Sequence, residues 1–229
     1  EIVVPAEGMG AIPRQLAAKA REAGARIDTG RTVDAVSPDG DGVIVETDGE
    51  TLGAEAAVVA TDPKSAVELT GCAGIPTEGD GCVTQHFSLP ASEQLDTDRR
   101  LLLNTVDARP NTVAPISEVA PECAPHDREL LSATFLGTPE ETDDELAAEV
   151  RERLESWYPE REFSELELLE THRIPFAQFA QPPGFRAMLP DVDEPEGAVY
   201  LAGEYTEWSA IQGAMESGRR AARAVDRQL

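Results

Sequence analysis

The sequence predicts two kinds of architecture in one chain, an α/β part and an α+β part with a mixed or antiparallel sheet, and three observations indicate it. Residues 5–62 contain a helical pattern, a hairpin signal and a short apolar run, in that order. Residues 63–196 contain several strand-like runs and one well-delimited helix, which is typical of an α+β arrangement. Residues 197–229 contain an apolar strand that enters a glycine and continues into a helix.

A helix is the first element that the sequence predicts. Apolar residues recur at helical spacing at Ile12, Leu16, Ala20 and Ala23, and Gly24 marks the expected end. Asp48-Gly49 is the dipeptide typical of a two-residue hairpin turn. Short strands are expected over residues 26–29, 32–36, 42–47 and 50–52.

An uninterrupted apolar run at residues 56–60 follows the hairpin and ends at Thr61-Asp62-Pro63. Such a run predicts a strand that is buried on both faces. In the middle of the chain, Thr142 and Glu145 form a capping-box pattern, which predicts a helix that begins there. Further strands are expected over residues 82–89, 101–105, 112–119, 130–136 and 166–174.

The end of the chain combines a short strand at residues 197–203 with a helix that is expected over residues 210–225. Ser209 is the predicted N-cap of that helix. The N-terminus of a helix carries unpaired N–H groups and a partial positive charge, so it can receive an anion. The pattern of strand, glycine, acid and helix therefore marks a candidate binding site.

The charge of the chain excludes some functions. Lys and Arg number 19 against 44 Asp and Glu, so the formal net charge is −25. This excludes nucleic-acid binding by a general basic surface and argues against docking on anionic lipid, although peripheral membrane contact stays open. No run of about 18 apolar residues is present to span a membrane. The dispersed acids favour a cytoplasmic protein of a high-salt organism, and a cationic partner is the alternative.

Cysteine and histidine give no sign of a metal site. Three cysteines without a C-x-x-C spacing suggest neither a zinc site nor a disulfide framework, and a reducing cytoplasm is the simplest interpretation. The histidines are scattered and form no H-E-x-x-H pattern. These residues are Cys72, Cys82, Cys123, His86, His126 and His172.

Three stretches together resemble one superfamily, that of the FAD-dependent amine oxidases and the phytoene (carotenoid and squalene-associated) desaturases. They are PAEGMGAIP at 5–13, GARI at 24–27 with Val33 and Val36, and LAGEYT at 201–206 with AIQGAMESGRRAA at 210–222. The last is the most specific, with its Gly-acid-Tyr-Thr and Gly-Ala-x-x-Ser-Gly patterns. The resemblance implies a Rossmann-like flavin domain in two pieces, residues 1–62 and 197–229, with residues 63–196 as the inserted substrate domain.

The resemblance also implies roles for individual residues, with FAD as the cofactor. Val33 would contact the adenine end through its backbone, and Gly203 would let the chain pass close to the pyrophosphate and ribityl region. Glu204 would take the place of the family's acid on the ribityl or phosphate side. The start of the last helix would face the pyrimidine end of the flavin ring, and Tyr205 and Trp208 would line the substrate side. The residues of that helix start are Ile211, Gln212 and Gly213.

One departure from the family pattern matters. The family binds the ADP part of FAD with a G-x-G-x-x-G turn after the first strand, and this chain has no such turn, since Gly8-Met9-Gly10 is followed by Ala11-Ile12-Pro13. We therefore expect the chain to be the C-terminal portion of a longer enzyme whose N-terminal half is missing here. Alone, it is expected to bind FAD weakly or not at all and to be inactive.

The resemblance leaves three functions open. The first is a desaturase or dehydrogenase that transfers a hydride from an apolar, isoprenoid or carotenoid-like substrate to the flavin, and no catalytic side chain can be named for it. The second is an amine or protoporphyrinogen oxidase, although a flavin-side lysine could come only from Lys19 or Lys64. The third is a non-enzymatic prenyl-binding module. An apolar tunnel or, alternatively, core packing is expected at Phe176, Gln178, Phe179 and Phe185.

Overall fold

A computed structural model describes residues 5–106 and 109–229 of the chain. By spatial contact the chain divides into two compact units. The first contains the described residues of segments 5–27, 80–106 and 109–177, and the second contains segments 28–79 and 178–229. The flavin and substrate boundaries that the resemblance implies stay a prediction.

The described residues form helices and strands in a mixed order. The helices are α1 (Ala11–Glu22), α2 (Pro63–Thr70), α3 (Ile116–Val119), α4 (Asp143–Trp157) and α5 (Ile211–Gln228). The strands are β1 (Val33–Asp39), β2 (Gly42–Thr47), β3 (Glu50–Ala54), β4 (Ala57–Val59), β5 (Gly79–Pro90), β6 (Leu102–Leu103), β7 (Thr112–Pro115), β8 (Arg128–Leu136), β9 (Glu167–Phe179) and β10 (Val199–Leu201).

The first unit is built on a five-stranded sheet in the order β6-β7-β8-β5-β9. Its centre is the antiparallel pair β5 and β8, in which Phe87 faces Leu131 and Val83 faces Phe135. Side chains of this pair and of α4 form one buried core. That core includes Val83, Phe87, Leu131, Phe135, Leu146, Val150 and Leu154. The helix thus covers one face of the sheet, as an α+β arrangement requires.

The capping box predicted from Thr142 and Glu145 is present at the start of α4. The Glu145 backbone N–H donates to Thr142 Oγ1 at 3.3 Å, and the Thr142 backbone N–H donates to Glu145 Oε2 at 2.8 Å. The two N–H groups would otherwise lack a partner within the helix. Acidic Asp143 and Asp144 in the first turn add a favourable interaction with the helix dipole.

A first prediction concerns this capping box. We expect Thr142→Ala to lower the free energy of unfolding by about 1 kcal/mol, because the Glu145 N–H loses its acceptor. Urea titration followed by circular dichroism measures the change. Thr142→Ser is the control and should retain most of the stability, since its hydroxyl can accept the same hydrogen bond. Equal stability of the alanine and wild-type proteins would contradict the prediction.

The second unit contains two small sheets and two helices. An antiparallel sheet runs β1-β2-β3, and its hairpin turn lies at Asp48-Gly49, where Thr47 faces Glu50 and Gly49 has φ of 101°. A parallel pair joins β10 to β4 in direct register, with Tyr200 beside Val58. Helix α2 follows β4, and helix α5 follows β10 after a loop. The predicted hairpin is confirmed.

Several predicted elements are wrong. Residues 26–29 form no strand and are exposed, and the first strand begins only at Val33. The strand predicted over 112–119 ends at Pro115, which lacks an N–H, and the chain continues as helix α3. The strand predicted to be buried on both faces, β4, leaves Val58 44% exposed.

Helix α2 is not among the predicted elements, although its signals are present in the sequence. Asp62 is its N-cap, Pro63 is its first residue, and Gly71 ends it in the left-handed conformation. Within residues 5–106 and 109–229, no helix is long and apolar enough to cross a membrane.

Candidate functional site

The site candidate lies at one edge of the second unit, where the parallel strands β4 and β10 both end. The Ala202 N–H donates to the Val59 carbonyl at 2.9 Å, so the two strands stay paired up to their last residues. Each strand leads into a helix, β4 into α2 and β10 into α5. In parallel α/β sheets, ligands bind beyond the carboxyl ends of the strands.

The two helices that begin at this edge differ at their N-termini. Asp62 caps the N-terminus of α2, because its Oδ1 accepts hydrogen bonds from the N–H groups of Lys64 at 3.0 Å and Ser65 at 3.2 Å. The hydrogen bond from the Ser65 hydroxyl, together with these backbone bonds, keeps the pKa of Asp62 below its usual value. Helix α5 begins after Ala210, and no side chain of the described residues caps it. Its first N–H groups are therefore available to an external acceptor.

The predicted N-cap Ser209 is wrong. Its backbone N–H donates to Gln181 Oε1 at 3.1 Å, and Ala210 occupies the N-cap position in extended conformation. The Ala210 N–H donates to the Trp208 carbonyl at 2.8 Å. A sequence pattern identifies a hydroxyl near a helix start, but the path of the loop decides whether that hydroxyl points at the helix.

The turn between β10 and α5 is held from inside the unit. Gly203 adopts extended backbone angles, and a 3₁₀ turn follows at Glu204–Thr206. The side chain of Tyr205 is 1% exposed, and its hydroxyl donates towards the carbonyls of Val59 at 3.3 Å and Ala202 at 3.4 Å. The ring of Tyr205 thus packs beneath Gly203 and ties the turn to the ends of both strands.

A second prediction follows from the burial of Tyr205. Burial raises the pKa of Tyr205 to about 12. Its folded-state pKa therefore exceeds its unfolded value of about 10, so its contribution to stability is complete below pH 10 and is lost as pH rises towards 12. We expect up to about 3 kcal/mol of stability to disappear over that window, and less of this pH dependence in Tyr205→Phe.

Denaturant titrations at several alkaline pH values, together with tyrosinate absorbance, measure the effect. Tyr158 and Tyr200 remain in the variant, so the difference between the two proteins isolates Tyr205. An alkaline loss of stability that is equally steep in Tyr205→Phe would show that other groups cause it.

Two further contacts hold the loop before α5, one from Arg220 on α5 and one from Arg186 in the turn at 185–188. The Arg220 guanidinium pairs with the carboxylate of Glu207 and also lies 3.0 Å from Asp191 Oδ1. These carboxylates raise the pKa of Arg220 above its usual value, with the hydrogen bond to Glu207 as the largest cause. The Arg186 guanidinium lies over the Trp208 ring, 4.8 Å from its centroid. The loop before α5 is therefore held by the side chains of Arg220 and Arg186.

The structure brings most of the predicted cofactor residues together. Gly203 and Glu204 lie in the turn, and Ile211, Gln212 and Gly213 form the first residues of α5. Glu204 is half-buried, and its carboxylate has no hydrogen-bond partner among the described residues. Val33 lies apart in sequence as the first residue of β1, facing Thr47, and is 39% exposed.

The predicted substrate residues have contacts of their own. Tyr205 contacts the strand ends, and Trp208 is half-buried beneath Arg186. Phe179 is 1% exposed and meets the Phe185 ring edge-on, with the centroids 6.0 Å apart. Phe176 is half-buried and Gln178 is exposed. The assignment of Tyr205 and Trp208 to substrate stays a prediction.

Two residues of the site, Thr206 and Ser217, are not predicted from the sequence. Thr206 and Ser217 form a buried hydroxyl pair behind Gly203, with their oxygens 2.7 Å apart. Ser217 was visible in the Gly-Ala-x-x-Ser-Gly pattern, but no spacing rule connects it to Gly203. In the part of the chain that the structure describes, no group of three or more His, Cys, Asp or Glu residues is placed to hold a metal ion.

The fold and the site together define a class of protein. A mixed helix-and-sheet chain with antiparallel sheets presents, at the edge where two parallel strands end, a glycine turn and a helix that no described side chain caps. Such an edge suits an anionic or polarised cofactor group.

Comparison with known proteins gives the family. A family model described as flavin containing amine oxidoreductase matches residues 1–226. A solved structure from Exiguobacterium sp. 255-15, provisionally named a protoporphyrinogen oxidase, has a TM-score of 0.73 at 15% identity and aligns with 94% of this chain and 51% of its own. An oxidoreductase from Methanosarcina mazei has a TM-score of 0.65 at 16% identity, over 96% of this chain and 54% of its own.

A third structure, cyclohexylamine oxidase from Brevibacterium oxydans IH-35A, has a TM-score of 0.59 at 17% identity, over 86% of this chain and 48% of its own. No curated protein matches the chain significantly by sequence. The chain spans about half the length of these solved structures.

The chain belongs to the flavin-containing amine oxidoreductase family. The superfamily inferred from the three sequence stretches and FAD as its cofactor are thereby confirmed. The predicted combination of helices with antiparallel sheet is also confirmed at the level of a mixed fold similar to these structures.

Proposed function

We propose that the chain is the C-terminal portion of an FAD-dependent oxidoreductase. Residues 1–62 and 197–229 would contribute to a discontinuous Rossmann-like flavin domain, and residues 63–196 would form the inserted substrate domain. The observation that carries the proposal is the contrast between the two helices at one sheet edge: Asp62 caps α2, whereas no side chain of the described residues caps α5. Family membership supports a flavin as the ligand of the open end.

The residues at this edge fit the flavin end of FAD. The N–H groups of Ile211 and Gln212 would face the pyrimidine end of the ring, where a helix N-terminus favours negative charge. Gly203 would allow the chain to approach the ribityl and pyrophosphate region, and the unpartnered Glu204 carboxylate would accept from a ribityl hydroxyl. The ADP end lacks its usual G-x-G-x-x-G turn in this sequence, so residues outside this chain would complete it.

Bound FAD would supply the two-electron oxidation of the substrate, and this chain would supply binding and orientation. The open end of α5 would orient the ring and stabilise charge on it. The loop fixed by Arg220 and Arg186 would keep Trp208 at one side of the site. No acid or base of this chain is assigned a proton-transfer step.

Our proposal for the substrate is an apolar, isoprenoid or carotenoid-like molecule. The alternative of an amine or porphyrinogen substrate is favoured by the names of structural neighbours, which include a cyclohexylamine oxidase and a putrescine oxidase. Of the two lysines, Lys19 lies on exposed α1 and pairs with Glu22 at 2.6 Å, and Lys64 lies at the start of α2. The position of Lys19 does not suggest a lysine beside the flavin ring, whereas Lys64 begins a helix at the same sheet edge as α5 and stays open as that lysine.

The acidic composition supports a further part of the proposal, a cytoplasmic protein that works in concentrated salt. Dispersed carboxylates keep such a protein hydrated, and high ionic strength screens their mutual repulsion. The absorption spectra that test for bound flavin are therefore recorded in molar KCl.

The testing experiment is an absorption spectrum of the complete gene product, compared with the spectrum of the 229-residue chain. A flavin band in the first that is absent or weaker in the second supports the split site, and oxidation of carotenoid precursors, amines and porphyrinogens then identifies the substrate class. The absence of flavin in the complete product, even after FAD is added, would favour a non-enzymatic prenyl-binding module instead.

A third prediction concerns Glu204. We expect Glu204→Ala to raise the Kd for FAD about tenfold in the complete gene product, because a charged hydrogen bond to the ribityl side is lost. Titration of the apoprotein with FAD measures the change. Glu55→Ala is a matched control, since this exposed acid precedes β4 at the opposite end of the same strand pair. Equal FAD affinity in the two variants would remove Glu204 from the site.

A further inference from the structure

Behind the flavin-facing turn lies a closed ring of hydrogen bonds, which we call the hydroxyl relay and which consists of Gly203, Thr206 and Ser217. The Gly203 N–H donates to Ser217 Oγ at 2.9 Å. The Thr206 hydroxyl donates to the Gly203 carbonyl at 3.3 Å. Ser217 Oγ and Thr206 Oγ1 are 2.7 Å apart.

The two hydroxyls connect the backbone groups of Gly203. Ser217 Oγ accepts from the Gly203 N–H, and the Thr206 hydroxyl reaches the Gly203 carbonyl. Either hydroxyl can be the donor in the bond between Ser217 and Thr206. The relay runs from the Gly203 N–H through Ser217 and Thr206 back to the Gly203 carbonyl, so both backbone groups of one residue are held by it.

The relay is sealed from water, since Ser217 is 0% exposed and Thr206 is 6% exposed. A buried serine within a helix is unfavourable unless its hydroxyl is paired, and alanine has the higher helix propensity. Helical serines commonly bond back to their own helix, whereas Ser217 reaches across to the turn. The Ser217 hydroxyl therefore connects α5 to the turn at Gly203 and does not bond within its own helix.

The link joins the two halves of the proposed flavin site. Ser217 lies on α5, six residues after Ile211, and Gly203 precedes Glu204 in the turn. The relay therefore fixes the position of the Glu204 carboxylate relative to the open N–H groups at the start of α5. It also occupies the Gly203 N–H, so that this group is not a donor for the cofactor.

We infer that Thr206 and Ser217 are positioning residues for FAD: they act through Gly203 to hold the turn and the N-terminus of α5 in the geometry that binds the flavin. This inference rests on the proposed function. It predicts that loss of the relay changes flavin affinity and the flavin environment beyond any change in stability.

The test compares three variants in the complete gene product. Thr206→Val keeps the shape of the side chain and removes its hydroxyl, Thr206→Ser keeps the hydroxyl, and Ser217→Ala removes the other hydroxyl. The Kd for FAD, the flavin absorption maximum and the unfolding temperature are measured for each. Thr142→Ala, at the start of α4 in the other unit, controls for loss of stability alone.

We expect Thr206→Val and Ser217→Ala to raise the Kd for FAD about tenfold, which corresponds to about 1.4 kcal/mol, and to shift the flavin absorption maximum. Thr206→Ser should stay within about twofold of the wild-type Kd. Thr142→Ala should lower the unfolding temperature and leave the Kd and the spectrum unchanged.

Two other outcomes would overturn the inference, and they can be told apart. A flavin-bound wild type with unchanged Kd and spectrum in Thr206→Val would show a structural role only, and the proposed function would stand. A wild-type gene product that binds no FAD would overturn both the proposed function and the positioning role.

Discussion

Substitution of Gly213 by alanine is expected to lower the free energy of unfolding by about 3 kcal/mol or more and to abolish flavin retention. A Cβ atom at this position would lie 2.1 Å from the Trp208 carbonyl oxygen and 3.1 Å from its carbon. Both are backbone atoms, so no side-chain rotation relieves the clash. Either the loop before α5 or the first turn of α5 must move, and both belong to the proposed flavin site.

The direction of the stability change separates the steric clash from the ordinary effect of a glycine-to-alanine exchange in a helix. Alanine is favoured over glycine inside a helix by about 1 kcal/mol, so in the absence of the clash Gly213→Ala would stabilise the protein. Gly218 lies on the same helix, and nothing lies within 4 Å of a Cβ built there. Gly218→Ala is therefore the matched control, with an expected gain of about 0.5–1 kcal/mol and normal flavin content.

Chemical denaturation and the flavin-to-protein absorbance ratio measure both variants in the complete gene product. If Gly213→Ala were as stable as Gly218→Ala, the loop would not pass over the start of α5 as described. If Gly213→Ala were destabilised but kept its flavin with wild-type affinity, α5 would not be the flavin-facing helix.

The second large effect is expected for Gly203→Ala, with a loss of about 2–3 kcal/mol. A Cβ atom there would lie 2.2 Å from Cε1 of the Tyr205 ring and 2.7 Å from two further ring atoms. The extended backbone of Gly203 suits any residue, so the cost is steric alone. The buried ring cannot turn aside, because its surroundings are closely packed and its hydroxyl reaches the strand ends.

A double-mutant cycle tests that explanation. Because Tyr205→Ala removes the ring that clashes, Gly203→Ala should cost less in the Tyr205→Ala background than in the wild type. Gly53→Ala, at an open position in β3, controls for the exchange itself and should change stability little. If the free-energy costs of Gly203→Ala and Tyr205→Ala were additive, the strain of Gly203→Ala would not come from contact with the Tyr205 ring.

Local sequence patterns predicted local structure well. The Asp48-Gly49 hairpin and the Thr142–Glu145 capping box were both found as predicted, because each depends on residues within a few positions of one another. Similar local signals occur at Asp62-Pro63 and Gly71, where they mark a helix and not only the end of a strand. A strand end and a helix start share these residues, so the local pattern alone does not separate the two.

The remaining errors depended on partners that are distant in sequence. The Ile27 side chain is 37% exposed, so residues 26–29 lack the burial that a strand normally has. Ser209 was a plausible cap by type, but its backbone N–H donates to Gln181 instead. The helix face predicted through Leu16 leaves that side chain 53% exposed, since spacing shows which residues share a face and not what covers it.

The sequence by itself determined the family, the cofactor class and the stretch that holds the candidate site, because Gly-acid-Tyr-Thr and Gly-Ala-x-x-Ser-Gly are contiguous patterns. Only the tertiary structure decided how that stretch is held. It placed the Tyr205 ring beneath Gly203, the Trp208 carbonyl against Gly213, and the hydroxyls of Ser217 and Thr206 behind the turn. These contacts join residues on a strand end, a loop and a helix, and their distances depend on how those elements pack rather than on their spacing in the chain.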